Sequence, residues 1–246
     1  MGTDVAINFA AIVHQPKLKD EALYGRINHQ LPVYLAKLSK EAGVRQFIQI
    51  STIAVYGKTE NIGLQTPYNP TTPYGKTKLN ADLELLSFQN AAFKVSLVRP
   101  SMVYGGGASP GNLMQLIKLA HKGIPLPFKG VNNTRQFCHI NLLVHALQNI
   151  IEKEKEGIFL LADQKGISTS EILNTIQEGF GKIVPQIKPL DFFLWLLKKT
   201  RPSLYQKLYG SLVINVEPTF KELELGAHKY SLSQGIKQMV EAYKIQ

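Results

Sequence analysis

The chain has one cysteine, Cys138, in 246 residues, so no disulfide can form within it and a reducing, cytoplasmic setting is expected. Nothing in it approaches the ~18 consecutive apolar residues of a membrane-spanning helix. No basic stretch followed by an apolar one opens it, so a secretory leader is not expected. Acidic residues are scarce, 18 against 28 Lys and Arg, which leaves a formal net charge of +10. Such a surface attracts polyanions. No nucleic-acid motif accompanies the charge, so nucleic acid is not expected as a partner; a locally basic cleft for a small diphosphate is the better fit. Repeats, low-complexity tracts and metal-ligand spacings are also absent. So is the Gly-x-Gly-x-x-Gly turn that lets a backbone approach a pyrophosphate. Gly105-Gly-Gly107 cannot replace it, because it follows a late strand and opens no comparable helix.

What is present centres on Pro-Tyr-Gly-Lys-Thr-Lys-Leu (73–79). Tyr74 and Lys78 stand four residues apart, on one face of a helix. An ammonium beside a phenol favours the phenolate, so the pair is expected to lower the Tyr74 pKa and make a proton-transfer device for an alcohol. Upstream, residues 46–50 read as a buried strand ending in two hydroxyls, Ser51 and Thr52. Downstream, Val95-Ser-Leu-Val-Arg-Pro100 is a second apolar strand. Strand, hydroxyls, helix, strand is a βαβ unit, and open α/β sheets place chemistry beyond the carboxyl ends of their strands.

Three segments, Ile-Ser-Thr-Ile-Ala-Val-Tyr-Gly (50–57), Pro-Tyr-Gly-Lys-Thr-Lys (73–78) and Val-Arg-Pro-Ser-Met-Val-Tyr-Gly (98–105), resemble the extended short-chain dehydrogenase/reductases. Within these the likeness is to the NAD-dependent nucleotide-sugar epimerases and dehydratases. Asp4–Ala11 is similar to the family's fourth strand, and Asn28 to an Asn on the helix that follows. The resemblance implies a doubly wound, Rossmann-like α/β sheet with a small α/β substrate-binding lobe. It also implies NAD as cofactor and a UDP-sugar as substrate. Tyr74 would be the general base and acid, Lys78 would hold the nicotinamide ribose, and Thr52 would hydrogen-bond the reacting oxygen, a task Ser51 could share. Ala10, Ala11, Ser51 and Pro100 would line the cofactor. By similarity to UDP-galactose 4-epimerases, Asn112 and Leu113 would meet the UDP, Leu126 and Phe128 would cover the uracil, and Arg135 would clamp the diphosphate. Family members often pair through two long helices, here 20–42 and 74–91, so a homodimer is expected.

The related dehydratases carry Asp-Glu directly after the catalytic Thr. Here Ile53 and Ala54 follow Thr52, and neither does acid–base chemistry. That leaves epimerisation at C4, as in bacterial polysaccharide sugar metabolism. The alternatives are a 4-keto-sugar reductase using the same residues for the return half only, or a catalytically silent remnant. The chain opens where the family's fourth strand would open. The expectation is therefore a sheet truncated at its N-terminal side, with residues 5–9 as a bare apolar edge and weak NAD binding by this chain alone.

Residues 1–105 with 137–163 are expected to form the partial cofactor domain, and 106–136 with 164–246 the lobe. Pro32 lies inside the helical pattern of 20–42 and should start or kink a helix there. Ser168 and Glu171 form a capping-box signature for a helix to about 181. The run Asp191-Phe-Phe-Leu-Trp-Leu-Leu-Lys-Lys199 is short, apolar and basic-ended. Packing within the lobe fits it better than a place on a membrane surface, because short apolar runs are usually core.

Overall fold

The computed structural model describes residues 2–13, 20–107, 111–226 and 231–245. Four strands, β1 (Val5–Asn8), β2 (Gln46–Ile50), β3 (Lys94–Pro100) and β4 (Gly157–Leu161), form one parallel sheet in chain order. The register pairs Ile7 with Ile48, Ile48 with Ser96 and Val98 with Phe159. The central strands are buried along nearly their whole length, as expected of a sheet covered on both faces. β1 pairs on one side only among the described residues.

The connection from β1 to β2 is helical: α1 (Glu21–Gly25), a π-helical turn at Arg26–Gln30, then α2 (Leu31–Glu41). Pro32 explains the turn. It has no N–H to offer the Asn28 carbonyl, so the helix widens before it and restarts with Pro32 in its first turn. α3 (Pro73–Leu86) links β2 to β3. Its start is set by Thr72, whose hydroxyl accepts from Gly75 N at 3.1 Å, and by Pro73 in the first turn. α2 and α3 lie on the sheet through Ala36, Leu85, Phe47, Val95 and Leu97. Each of the buried Leu, Val and Phe side chains contributes about 1.5–3 kcal/mol.

The chain divides into two compact units. The first comprises Met1–Ser101, Leu143–Leu161 and Ile214–Gly226 and holds the sheet. The segment 214–226, read from sequence as part of the lobe, packs with this sheet unit. It carries helix Glu217–Leu223, whose Thr219 hydroxyl accepts from Leu160 N at 3.0 Å, while Leu223 O accepts from Asn149 at 2.7 Å.

The second unit comprises Met102–Leu142, Ala162–Val213 and Ala227–Gln246. Helices Asn112–His121, Thr169–Phe180 and Leu232–Lys244 meet in a core that includes Ile117, Ile172, Ile176, Met239 and Val240. The capping box is formed: Ser168 accepts from Glu171 N, and the Glu171 carboxylate accepts from Ser168 N. Cys138 is fully buried, and burial pushes its thiol well above the ordinary range, consistent with a packed small hydrophobe rather than a nucleophile. Pro110, a sequence signal for the exit from the sheet, lies outside the described residues.

The helix Asp191–Thr200 corrects an expectation. It forms, but none of its residues is buried: Phe192, Phe193 and Trp195 are 70%, 60% and 56% exposed. Only Leu194 and Leu197 turn partly inward. The helix packs on its neighbour, Pro202–Tyr209, and its bulkiest side chains stay exposed.

Candidate active site

The site of the sheet unit lies at the carboxyl ends of β1–β3. After β2 the chain turns at Thr52 into a short 3-10 helix, Ile53–Tyr56; the Thr52 hydroxyl caps it by accepting from Ala54 N at 3.2 Å. α3 then passes very close to this turn. A Cβ on Gly75 would sit 2.7 Å from Ala54 O, so only glycine allows the approach. The contact brings the half-buried Tyr74 within hydrogen-bonding reach of the Thr52 side chain. Two of the predicted catalytic residues, far apart in sequence, therefore meet.

Lys78 sits one turn further along α3, 1% exposed, and its ammonium donates to Ile50 O at 2.6 Å. Its placement corrects the reading of the pair. Burial raises the Tyr74 pKa, the Thr52 hydrogen bond lowers it and the Asp82 charge raises it; Lys78 is not among the influences. Lys78 is itself pushed down to about 8 by burial, with Asp82 opposing. The ammonium is turned to the end of β2, not to the phenol.

A stability prediction follows from that value. The Lys78 pKa is about 8 when folded, against an ordinary 10.5. Between these values the unfolded chain binds more protons, so unfolding free energy rises with pH. A Lys78→Met chain lacks this dependence. Wild type should gain on Lys78→Met by on the order of 3 kcal/mol as pH rises from 8 to 10.5 in urea titrations. A constant difference across that range would contradict the buried, depressed ammonium.

Behind Lys78 lies a group that sequence reasoning missed. Asp82 and Arg99 are both fully buried. The guanidinium donates to Asp82 Oδ2 at 3.0 Å and to the hydroxyls of Tyr56 (2.8 Å) and Tyr68 (3.2 Å), and lies over both rings. Ser51 donates to the same Asp82 oxygen at 2.7 Å. Its hydroxyl proton is thus given to this network, which leaves only the oxygen's acceptor capacity for the cofactor role read from sequence. Burial pushes Asp82 up, against Arg99, Ser51 and Lys78, which pull it down. The available signal was an Arg inside an apolar strand beside a helical Asp, since such charges are rarely buried unpaired.

Beyond β1, Ala10 is exposed and Ala11 half-buried. Asn28, fully buried at the π-helical turn, accepts from Ile12 N at 2.8 Å and donates to Ile12 O at 2.9 Å. One side chain thereby holds the segment that carries both alanines. Pro100 is buried at the end of β3.

The second unit has its own cavity, about 320 Å³, lined by all five predicted substrate residues: Asn112, Leu113, Leu126, Phe128 and Arg135. Residues 126–129 are tied to 185–187 by backbone bonds from Leu126 N to Pro185 O and from Ile187 N to Leu126 O. Phe128 lies against Tyr209, ring centroids 5.4 Å apart, and the Tyr209 hydroxyl donates to Pro127 O. Arg135 donates to Gly210 O at 3.1 Å and has no carboxylate partner among the described residues. Burial alone depresses its pKa. Sequence reasoning missed Lys207 at the rim and the apolar wall of Leu116, Leu204 and Leu208. No His/Cys/Asp/Glu group suited to a metal ion occurs among the described residues, and no helix there is long and apolar enough to cross a membrane.

Comparison with known proteins finds relatives along nearly the whole chain. Residues 1–162 match the NAD dependent epimerase/dehydratase family. A UDP-glucose 4-epimerase of Vibrio cholerae is 30% identical over 254 residues, spanning 98% of this chain and 77% of that protein. The N-acetyl-alpha-D-glucosaminyl-diphospho-ditrans,octacis-undecaprenol 4-epimerase of Escherichia coli O157:H7 is 22% identical, over 98% of this chain and 77% of that protein. The crystal structure of a UDP-glucuronic acid 4-epimerase from Bacillus cereus in complex with NAD has the same fold, with a TM-score of 0.78 at 21% identity, covering 98% of this chain and 74% of that one.

Proposed function

The chain belongs to the NAD dependent epimerase/dehydratase family, and on that premise we propose that it is an NAD-dependent 4-epimerase of UDP-hexoses. The observation that carries the proposal is the Thr52–Tyr74 contact, with Lys78 buried behind it and no carboxylate at Ile53 or Ala54. That set suits proton transfer at a hydroxyl, and Ile53 and Ala54 supply no acid where the related dehydratases carry Asp-Glu.

The donor set fits the nicotinamide end of NAD. Lys78 uses one N–H on Ile50 O and has others for ribose hydroxyls, with the hydroxyls of Tyr74 and Thr52 alongside. These residues, with Ala10 and Ala11 on the segment held by Asn28, would hold the cofactor. When bound, NAD supplies the hydride acceptor and donor, and in its oxidised form a positive charge. Tyr74 takes the proton from the sugar O4 and later returns it. Thr52 hydrogen-bonds that oxygen and orients the phenol. A positive charge close by favours the phenolate and offsets the upward push of burial on Tyr74.

The cavity of the second unit suits the UDP portion. Leu126 and Phe128 give an apolar, aromatic surface for a base, and Arg135, bonded to backbone carbonyls but to no carboxylate among the described residues, offers its charge to the diphosphate. Asn112 stands at the first turn of its helix, where unbonded backbone N–H groups favour an anion. Arg135→Met should raise KM for the nucleotide sugar about ten- to hundredfold with kcat little changed, the loss of a charged hydrogen bond. An unchanged KM would remove Arg135 from the substrate site. Net consumption of reduced cofactor on a 4-keto sugar, with no interconversion of epimers, would replace the epimerase reading by a reductase one.

A further inference from the structure

The helix Asp191–Thr200 and the segment leading into it expose an apolar surface that the epimerase reading does not use. Ile187, Leu190, Phe192, Phe193 and Trp195 are each more than half exposed. They follow one another along the chain and end on a single helix, so they make one patch rather than scattered side chains. Phe192 and Trp195 are stacked, centroids 6.0 Å apart. The patch offers bulky rings and aliphatic chains and few hydrogen-bonding groups.

Its surroundings are cationic. Between residues 182 and 210 the sequence holds Lys182, Lys188, Lys198, Lys199, Arg201 and Lys207, against Asp191 as the lone carboxylate. None of Lys188, Lys198, Lys199 or Arg201 pairs with a carboxylate among the described residues. Lys199 lies over the Trp195 ring at 5.2 Å and Lys198 over Tyr205 at 5.6 Å. Each ammonium therefore sits over an aromatic face, which puts positive charge directly beside the apolar patch.

We propose that this face docks on an anionic bilayer surface, with Phe192, Phe193, Trp195 and Leu190 in the headgroup–acyl boundary and Lys188, Lys198, Lys199 and Arg201 against lipid phosphates. A short helix with aromatic anchors on one side and basic residues beside them is the composition of an interfacial helix. The charge decides against a second copy of this chain as the occupant: pairing two such faces would bring like charges together.

Trp195 is the sole tryptophan, so its emission reports on this helix alone. The full chain is titrated with vesicles of phosphatidylcholine alone, or mixed with phosphatidylglycerol. The expected result is a blue shift, quenching by brominated acyl chains and co-sedimentation with the anionic vesicles, all reversed by salt and weak with phosphatidylcholine alone. Phe192→Ser/Phe193→Ser should lower partitioning more than tenfold, and Lys198→Gln/Lys199→Gln about fivefold per lysine. All four positions lie outside the cavity lining, so turnover of a soluble nucleotide sugar should not change. Unmoved Trp195 emission with anionic vesicles overturns the proposal. So does equal binding to both vesicle types, or a blue shift that grows with protein concentration in their absence, which would mean self-association.

Discussion

Tyr74→Phe is expected to lower kcat for 4-epimerisation by about a hundred- to ten-thousand-fold, the range for removing a positioned general acid–base group. The substitution deletes one hydroxyl and keeps the ring. Tyr74 is half-buried, and its hydroxyl meets Thr52. The structural cost is therefore one hydrogen bond, about 1 kcal/mol, while the chemical cost is the group to which the proposed mechanism assigns the O4 proton. KM for the nucleotide sugar should stay nearly constant, because the cavity that suits the UDP is lined by other residues. Thr52→Ala should share the kcat effect in weaker form, since it removes the phenol's orienting partner. Initial-rate kinetics with UDP-galactose check both. A Tyr74→Phe enzyme within tenfold of wild type would mean that another group carries the proton.

Asp82→Asn should cost about 3–5 kcal/mol in unfolding free energy, the range for breaking a buried ion pair from one side. Arg99 has no exposure, so its charge cannot turn to water. Its remaining partners, the hydroxyls of Tyr56 and Tyr68, are neutral. Ser51 would lose its carboxylate acceptor in the same step. The double replacement Asp82→Leu/Arg99→Met should cost less than the two single changes added together, because it leaves no lone charge. Urea titrations of the three variants measure this. A loss under 1 kcal/mol for Asp82→Asn would show that the pair is not held as described. The site should also respond. Asp82 is the charge that raises the Lys78 pKa, so its loss should move Lys78 further below about 8.

Much of this architecture was legible in the sequence, for reasons that differ by element. The βαβ order of residues 46–100 showed because each strand is an apolar run ended by hydroxyl or proline, and the helix between opens with Thr72 and Pro73. Tyr74 and Lys78 showed because a spacing of four is a helical contact. What the spacing hid was direction: Lys78 reaches Ile50 O rather than the phenol, because α3 lies flat on the sheet and its buried face looks at the end of β2. The Asp82–Arg99 pair was hidden for a related reason. A carboxylate on a helix and a guanidinium on a strand look exposed until the helix is docked, and only then does Ser51 become their partner. The apolar run at 191–199 misled in the opposite sense. Apolarity read as core, yet Leu194 and Leu197 are the helix's sole partly buried residues among the described ones. The five cavity residues came from motif likeness. Leu116, Leu204 and Lys207 carry no motif and become neighbours only through the packing of the lobe.

The most direct measurement is proton NMR of the anomeric signals when the full chain is incubated with NAD and UDP-galactose. The account predicts that UDP-glucose signals grow to an equilibrium mixture with no net accumulation of reduced cofactor, and that Tyr74→Phe abolishes the change. UDP-galactose left unaltered, or converted with stoichiometric reduction of NAD, would contradict it.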